Sequence, residues 1–166
     1  MKNLSFTIYN FLKVPETFGQ TVSSSIPGLI NNGIALANQG NYNGAINFFD
    51  KALSVDPNNI KALFSKGNAL AKLGNYNAAI AFYNKVLSID PNDRSALYNK
   101  GNALAKLGNY NAALDSFNKV LSLNATDTKA LKSKQSVEAK LNKQTTTPNI
   151  MRSPSNIAIP NPSGFQ

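Results

Sequence analysis

The apolar positions along residues 60–93 change face twice. Ala62, Leu63, Ala69, Leu70 and Leu73 recur at helical spacing and form one stripe; Ala79, Ile80, Tyr83, Val86 and Leu87 form a second. Between the stripes stands Gly74-Asn75, which predicts a helix stop with Gly in the left-handed conformation. Asn77 is the predicted N-cap of the second helix. Asp90-Pro91-Asn92-Asp93 then closes it, since Pro cannot continue a helix and Asp or Asn is ready to cap the next one. The pattern therefore predicts two antiparallel helices with a tight link and no strand.

This unit is repeated. KGNALAKLGNYNAA stands at 66–79 and again at 100–113, and a weaker copy, NGIALANQGNYNGA, stands at 32–45. Frames 60–93 and 94–127 agree at 22 of 34 positions, and frame 26–59 follows the same plan, with Gly33, Gly67 and Gly101 in register. Glycine inside a helix costs about 1 kcal/mol relative to Ala, so these positions predict a close approach by a neighbouring element. Ala45, Ala79 and Ala113 are expected to provide the opposing small contact. Copied helix pairs build a stack, whereas catalysis needs unlike groups converging on one point.

The chain resembles the tetratricopeptide repeat family. That pattern is carried by Leu29, Gly33, Leu36, Tyr42, Ala45, Phe49, Ala52 and Pro57; by Leu63, Gly67, Leu70, Tyr76, Ala79, Tyr83 and Pro91; and by Leu97, Gly101, Leu104, Tyr110, Ala113 and Phe117. It departs at Val86 and Val120, where a small residue is usual, and at Ala125, where Pro is. The resemblance implies an all-α fold: a right-handed α-solenoid of three 34-residue helix-turn-helix repeats (26–59, 60–93 and 94–127) with a C-terminal capping helix over 128–142. In that helix Ala130, Leu131, Val137 and Leu141 continue the inward stripe, while Gln135 and Glu138 replace the Gly and Leu that would face a further helix. Residues 143–166, rich in Pro, Ser, Thr and Asn, are expected to be a disordered tail. Residues 1–25 carry Leu4, Phe6, Ile8, Phe11, Leu12, Val14 and Phe18, too apolar for a free tail. They are expected to cap the first repeat as an extra helix, to lie in the groove, or to bind a second copy.

Composition narrows the chemistry. There is no Cys and no His, so thiolate nucleophiles, the commonest general base and the commonest metal ligands are all missing. Serines lack an activating partner, and the eight acids offer no catalytic pair; an enzyme is not expected, nor is a cofactor or metal. The net charge of +9 is concentrated at 128–143, which holds five Lys against one Glu. Only two of the seventeen cations are Arg, Arg94 and Arg152, which argues against a phosphate-clamping surface. Twenty-five Asn residues reduce the weight of any single one. No apolar run reaches the roughly 18 residues of a membrane span, and the N-terminus lacks a cleavage signal, so a cytoplasmic location is expected.

The family resemblance further implies that the first helix of each pair lines a concave groove for an extended peptide or partner segment. Positions 2, 5, 6, 9, 12 and 13 of each frame would face it. The candidate binding residues are Lys61, Phe64, Asn68, Lys72, Tyr98, Asn99, Asn102, Lys106, Lys129, Lys132 and Lys140. In the first frame Ile30, Ile34 and Ala37 take these places, so the groove should run from apolar to Lys- and Asn-lined. Such a wall suits an acidic peptide, with Asn amides able to pair with its backbone. One subfamily holds chaperone tails through a two-carboxylate clamp. Asn68, Asn99 and Lys129 fall on its positions, but Phe64 and Ser133 stand where cations are needed, so no true clamp is expected. Two alternatives are a self-assembling array, with residues 1–25 of one chain in the groove of another, and an RNA-binding helical repeat. The scarcity of Arg and six acids within the repeats argue against nucleic acid.

Overall fold

The computed structural model of the chain describes residues 25–146, all of it helix and short turns. Seven helices follow one another: α1 (Ile26–Asn38), α2 (Tyr42–Val55), α3 (Ile60–Lys72), α4 (Tyr76–Ile89), α5 (Arg94–Lys106), α6 (Tyr110–Leu123) and α7 (Thr128–Thr146). The expectations placed on residues 1–24 and 147–166 lie outside the described residues.

Each boundary has a local cause. Ser25 caps α1 by accepting from the Gly28 N–H at 3.3 Å. Asn59 and Asp93 cap α3 and α5, accepting from the N–H groups of Ala62 (3.1 Å) and Ala96 (2.8 Å). Helices α1, α3 and α5 end in Schellman turns. At the end of α3 the Asn75 N–H donates to the Leu70 carbonyl (2.9 Å) and the Gly74 N–H to that of Ala71 (3.1 Å). Gly74 takes φ +79°, the left-handed conformation this turn demands. The chain re-enters a helix at once, so the N-cap of α4 is Asn75 and not the predicted Asn77, which sits inside the first turn.

The helices pack as a solenoid. Each touches its neighbours in sequence, and the first helices also touch one another (α1 with α3, α3 with α5, α5 with α7), whereas the second helices do not. Closer packing along one layer bends the stack, with α1, α3, α5 and α7 on the inner, concave side. Ala62, Ala96 and Ala130 are fully buried where a first helix meets the preceding second helix. The helical glycines do admit the expected close approach, but not by the expected alanines. A Cβ on Gly67 would lie 2.8 Å from the ring of Tyr83, one on Gly33 2.5 Å from Phe49, and one on Gly101 2.7 Å from Phe117. What approaches each glycine is thus the aromatic ring of the paired helix; Ala79 packs instead with Tyr83 and Ala103.

The C-terminal end differs in two respects. The last helix runs four residues beyond the expected boundary, to Thr146. Leu131 is 38% exposed rather than inward, since no second helix among the described residues covers it; Leu73 (46%), at the end of α3, is likewise exposed. Ala130 and Val137 do hold the inward stripe. Lys134 and Glu138 pair one turn apart on α7 at 3.9 Å, as expected of a polar terminal helix. Among the described residues no helix is long and apolar enough to cross a membrane.

Candidate functional site

The layer of first helices leaves three open clefts along the concave face, one between each successive pair. The first is walled by Ile34, Ala37, Tyr42, Phe49 and Ala69, with Asn38, Ser65, Asn68 and Lys72 at its polar margin. The central cleft, about 580 Å³, is lined by Asn68, Ala71, Lys72, Tyr76, Tyr83, Asn99, Asn102, Ala103 and Lys106. The third is lined by Asn102, Ala105, Lys106, Phe117, Lys132, Ser133, Ser136, Val137 and Lys140. The number of lining lysines therefore rises from one in the N-terminal cleft to two in the central and three in the C-terminal one.

Seven of the eleven candidate residues line these clefts: Asn68, Lys72, Asn99, Asn102, Lys106, Lys132 and Lys140. Lys61 and Lys129 are exposed in the first turns of α3 and α7 and line none of them. Phe64 and Tyr98 are half-buried and line none of them either. Phe64 packs against the Tyr83 ring (centroids 6.0 Å apart) and Tyr98 against that of Phe117 (5.8 Å). Ile30, on the predicted groove face of α1, is 3% exposed and belongs to the core. Helical periodicity gives the angle of these residues around the axis but not the depth at which the next helix covers them. The hydroxyl of Tyr98 still reaches forward, 3.2 Å from Ser133 Oγ, tying α5 to α7.

The central cleft contains a hydrogen-bonded triad. Asn68 Oδ1 accepts from the Tyr83 hydroxyl at 2.9 Å and from Asn99 Nδ2 at 2.8 Å. Tyr83 is 1% exposed, and burial pushes its phenol up to about 12, so at neutral pH it is protonated and able to donate. Sequence reasoning placed Tyr83 in the core stripe and missed this second use. Its only signal is that Tyr stands where the flanking repeats have Phe49 and Phe117.

The electrostatics are one-sided. Lys72, Lys106, Lys132 and Lys140 line the clefts, and no acidic side chain does. The acids are used elsewhere. Asp50 pairs with Lys66. Asp56 and Asp90 close turns by accepting from Asn58 (3.2 Å) and Asn92 (3.0 Å), while Asp93 and Asp127 cap helices. Among the described residues no group of three or more Asp or Glu could hold a metal ion.

The family model described as "Anaphase-promoting complex, cyclosome, subunit 3", a model of tetratricopeptide-like repeats, matches residues 38–120, half of the chain. The chain belongs to this tetratricopeptide repeat family. Solved structures agree. The first tetratricopeptide domain of Spaghetti (RPAP3), bound to the HSP90 peptide SRMEEVD, is 22% identical with a TM-score of 0.69, over 72% of this chain and 95% of its own. The corresponding domain of Sgt2 from Aspergillus fumigatus is 19% identical with a TM-score of 0.67, over 84% and 91%. MamA, as the RS-1 ArsTM double mutant, is 26% identical with a TM-score of 0.70, over 79% and 74%. No curated protein matches the chain significantly. Tetratricopeptide domains are interaction modules.

Proposed function

We propose that this tetratricopeptide repeat protein is a non-enzymatic adaptor that holds an extended acidic peptide along its concave groove. The observation that carries this reading is the uniform sign of the wall: Lys72, Lys106, Lys132 and Lys140 with no opposing carboxylate. Asn68, Asn99 and Asn102 add amides that pair with a peptide backbone or a side-chain carboxylate. Similar domains of RPAP3 hold chaperone peptides whose sequences end in Glu-Glu-Val-Asp. A two-carboxylate clamp is not part of the reading, because Phe64 and Ser133 occupy two of its cation positions and Lys129 lies outside the clefts.

The test is a titration of the full chain into a fluorescent acidic peptide, with free and amidated C-termini, at low and high salt. Each Lys faces solvent, so a single contact contributes about 0.5 kcal/mol. Replacing all four by Ala is expected to weaken binding by roughly 2 kcal/mol, or about 30-fold, and to flatten the salt dependence. Binding that ignores both the salt and the four substitutions would remove the basis for an acidic ligand.

A further inference from the structure

The turns of the solenoid form two rows. Those inside the repeats, at 39–41, 73–75 and 107–109, lie along one rim; those between repeats, at 56–59, 90–93 and 124–127, lie along the opposite rim, because paired helices run antiparallel. Both rims carry exposed apolar side chains one frame apart. On the between-repeat rim Val55, Ile89 and Leu123 are 65%, 42% and 38% exposed; on the within-repeat rim Leu73 and Leu107 are 46% and 37% exposed. None of the five lines a concave cleft. Each rim also has a charge of its own beside these residues. Asp56 and Asp90 follow Val55 and Ile89, whereas Lys72 and Lys106 precede Leu73 and Leu107. None of these four charges stands in an ion pair; the described pairs join Asp50 to Lys66 and Lys134 to Glu138. The within-repeat turns hold no carboxylate, while the between-repeat turns hold Asp56, Asp90, Asp93 and Asp127, with Lys61, Arg94 and Lys129 at the helix starts beyond them.

We propose that the two rims bind each other, so that a second copy of this chain docks edge to edge. Leu73 and Leu107 of one copy cover Val55 and Ile89 of the next, and Lys72 and Lys106 meet Asp56 and Asp90. Both rows advance by one frame, so seating one apolar and charged doublet brings the next into place. The apolar contact removes exposed surface from water, and the charges choose which rims meet. Two within-repeat rims would set lysine against lysine, and two between-repeat rims carboxylate against carboxylate. Unlike rims therefore pair. Such a contact uses a different surface on each copy and leaves one rim free at either end, so rows grow without closing. The net charge of +9 opposes this. In about 0.15 M salt, however, charges are screened beyond about 8 Å, which mutes the overall repulsion and spares the charges bordering the contact. A handful of side chains makes an interface of the weak, reversible class. The contact does not depend on what the groove binds.

The test is analytical ultracentrifugation of the full chain from about 10 μM to about 1 mM, the range in which small interfaces associate. Two double variants split the contact. Leu73→Ser with Leu107→Ser strips one rim, and Val55→Ser with Ile89→Ser strips the other; circular dichroism checks that each is folded. The mean mass of the wild type is expected to rise with concentration without levelling at a dimer. Each double variant alone should associate at least about tenfold more weakly. An equimolar mixture of the two should regain wild-type strength but stop at a one-to-one pair, because each partner supplies the rim the other lacks. A wild type that stays a single chain to the top of the range overturns the proposal. A plateau at a dimer does so too, since like surfaces then meet, as does a mixture no larger than its parts. Association that survives in both variants also overturns it and transfers the contact to another surface, such as residues 1–24 in a neighbouring groove. If one variant fails to fold, the other is mixed with wild type: it should cap the rows and lower their mean mass, and an unchanged mass overturns the contact.

Discussion

Gly67→Ala tests the packing that shapes the groove wall. The new methyl carbon would lie 2.8 Å from Tyr83 Cε1, 3.0 Å from Cδ1 and 3.4 Å from Phe82 Cβ. Carbon atoms pack comfortably at about 3.5–4.0 Å, so the Tyr83 ring must retreat by roughly 0.7 Å or more. The ring is 1% exposed and backed by Phe64, Ala79 and Ala103, which leaves it nowhere to go without a shift of its helix. Overpacking of this kind costs about 1–3 kcal/mol. Displacing the hydroxyl from Asn68 adds about 1 kcal/mol, and the better helix propensity of Ala returns about 1 kcal/mol. The net expectation is a loss of roughly 2 kcal/mol, which for an array of this size lowers the melting temperature by about 8 °C. Thermal and urea unfolding followed by circular dichroism measure it directly. Gly101→Ala provides the comparison, since its methyl meets the Phe117 ring at 2.7 Å and no hydroxyl is at stake. Gly67→Ala in a Tyr83→Phe background should then cost about 1 kcal/mol less than in the wild type. A Gly67→Ala protein as stable as the wild type, or more so, would refute the claim that the ring needs a glycine opposite it.

Capping gives a sharper contrast between look-alike residues. Asn59→Ala removes a bond to the Ala62 N–H and should cost about 1 kcal/mol, whereas Asn75→Ala, whose side chain makes no cap bond, should cost less than about 0.5 kcal/mol in the same unfolding assay. Asp50→Asn breaks the pair with Lys66, but the carboxylate is half exposed, so the loss should stay below about 1 kcal/mol and vanish in high salt. The Tyr83 phenol, raised from 10.0 to about 12, favours the folded state while it is protonated. That contribution is complete below pH 10 and is lost as pH rises from 10 towards 12; melting temperatures of the wild type should therefore fall more steeply over that window than those of Tyr83→Phe. Leu131→Ser, on the uncovered side of α7, should leave stability within about 0.5 kcal/mol.

Much of this was legible because the repeat punctuates itself. Gly74 and Asp90-Pro91 mark where helices stop, and the four first helices begin at 26, 60, 94 and 128, one frame apart. The misplaced N-cap shows the limit. In the Schellman turn the Asn75 N–H has already returned to Leu70, so one residue both finishes a helix and starts the next, and composition alone favours the later Asn. Lys72, Lys106 and Lys140 followed from period, because their place in the frame, Asn38 in the first copy, is exposed every time. Phe64 and Tyr98 share the concave face but are overlaid by neighbouring rings, a matter of crossing geometry that spacing does not encode. The triad was illegible for a different reason: a hydrophobicity pattern counts Tyr83 and Phe117 as the same letter, and the difference between them is one oxygen.

Among the described residues the last helix touches only α5 and α6. More than half the lining of the third cleft, including Lys132 and Lys140, is carried on this helix. In a stack whose members answer only to near neighbours, opening starts at the termini and need not spread. The basic end of the groove is therefore assembled only while α7 is docked. Its amides should exchange with solvent sooner than those of α3 and α4, and a ligand held by Lys132 and Lys140 would slow that exchange by holding the array closed.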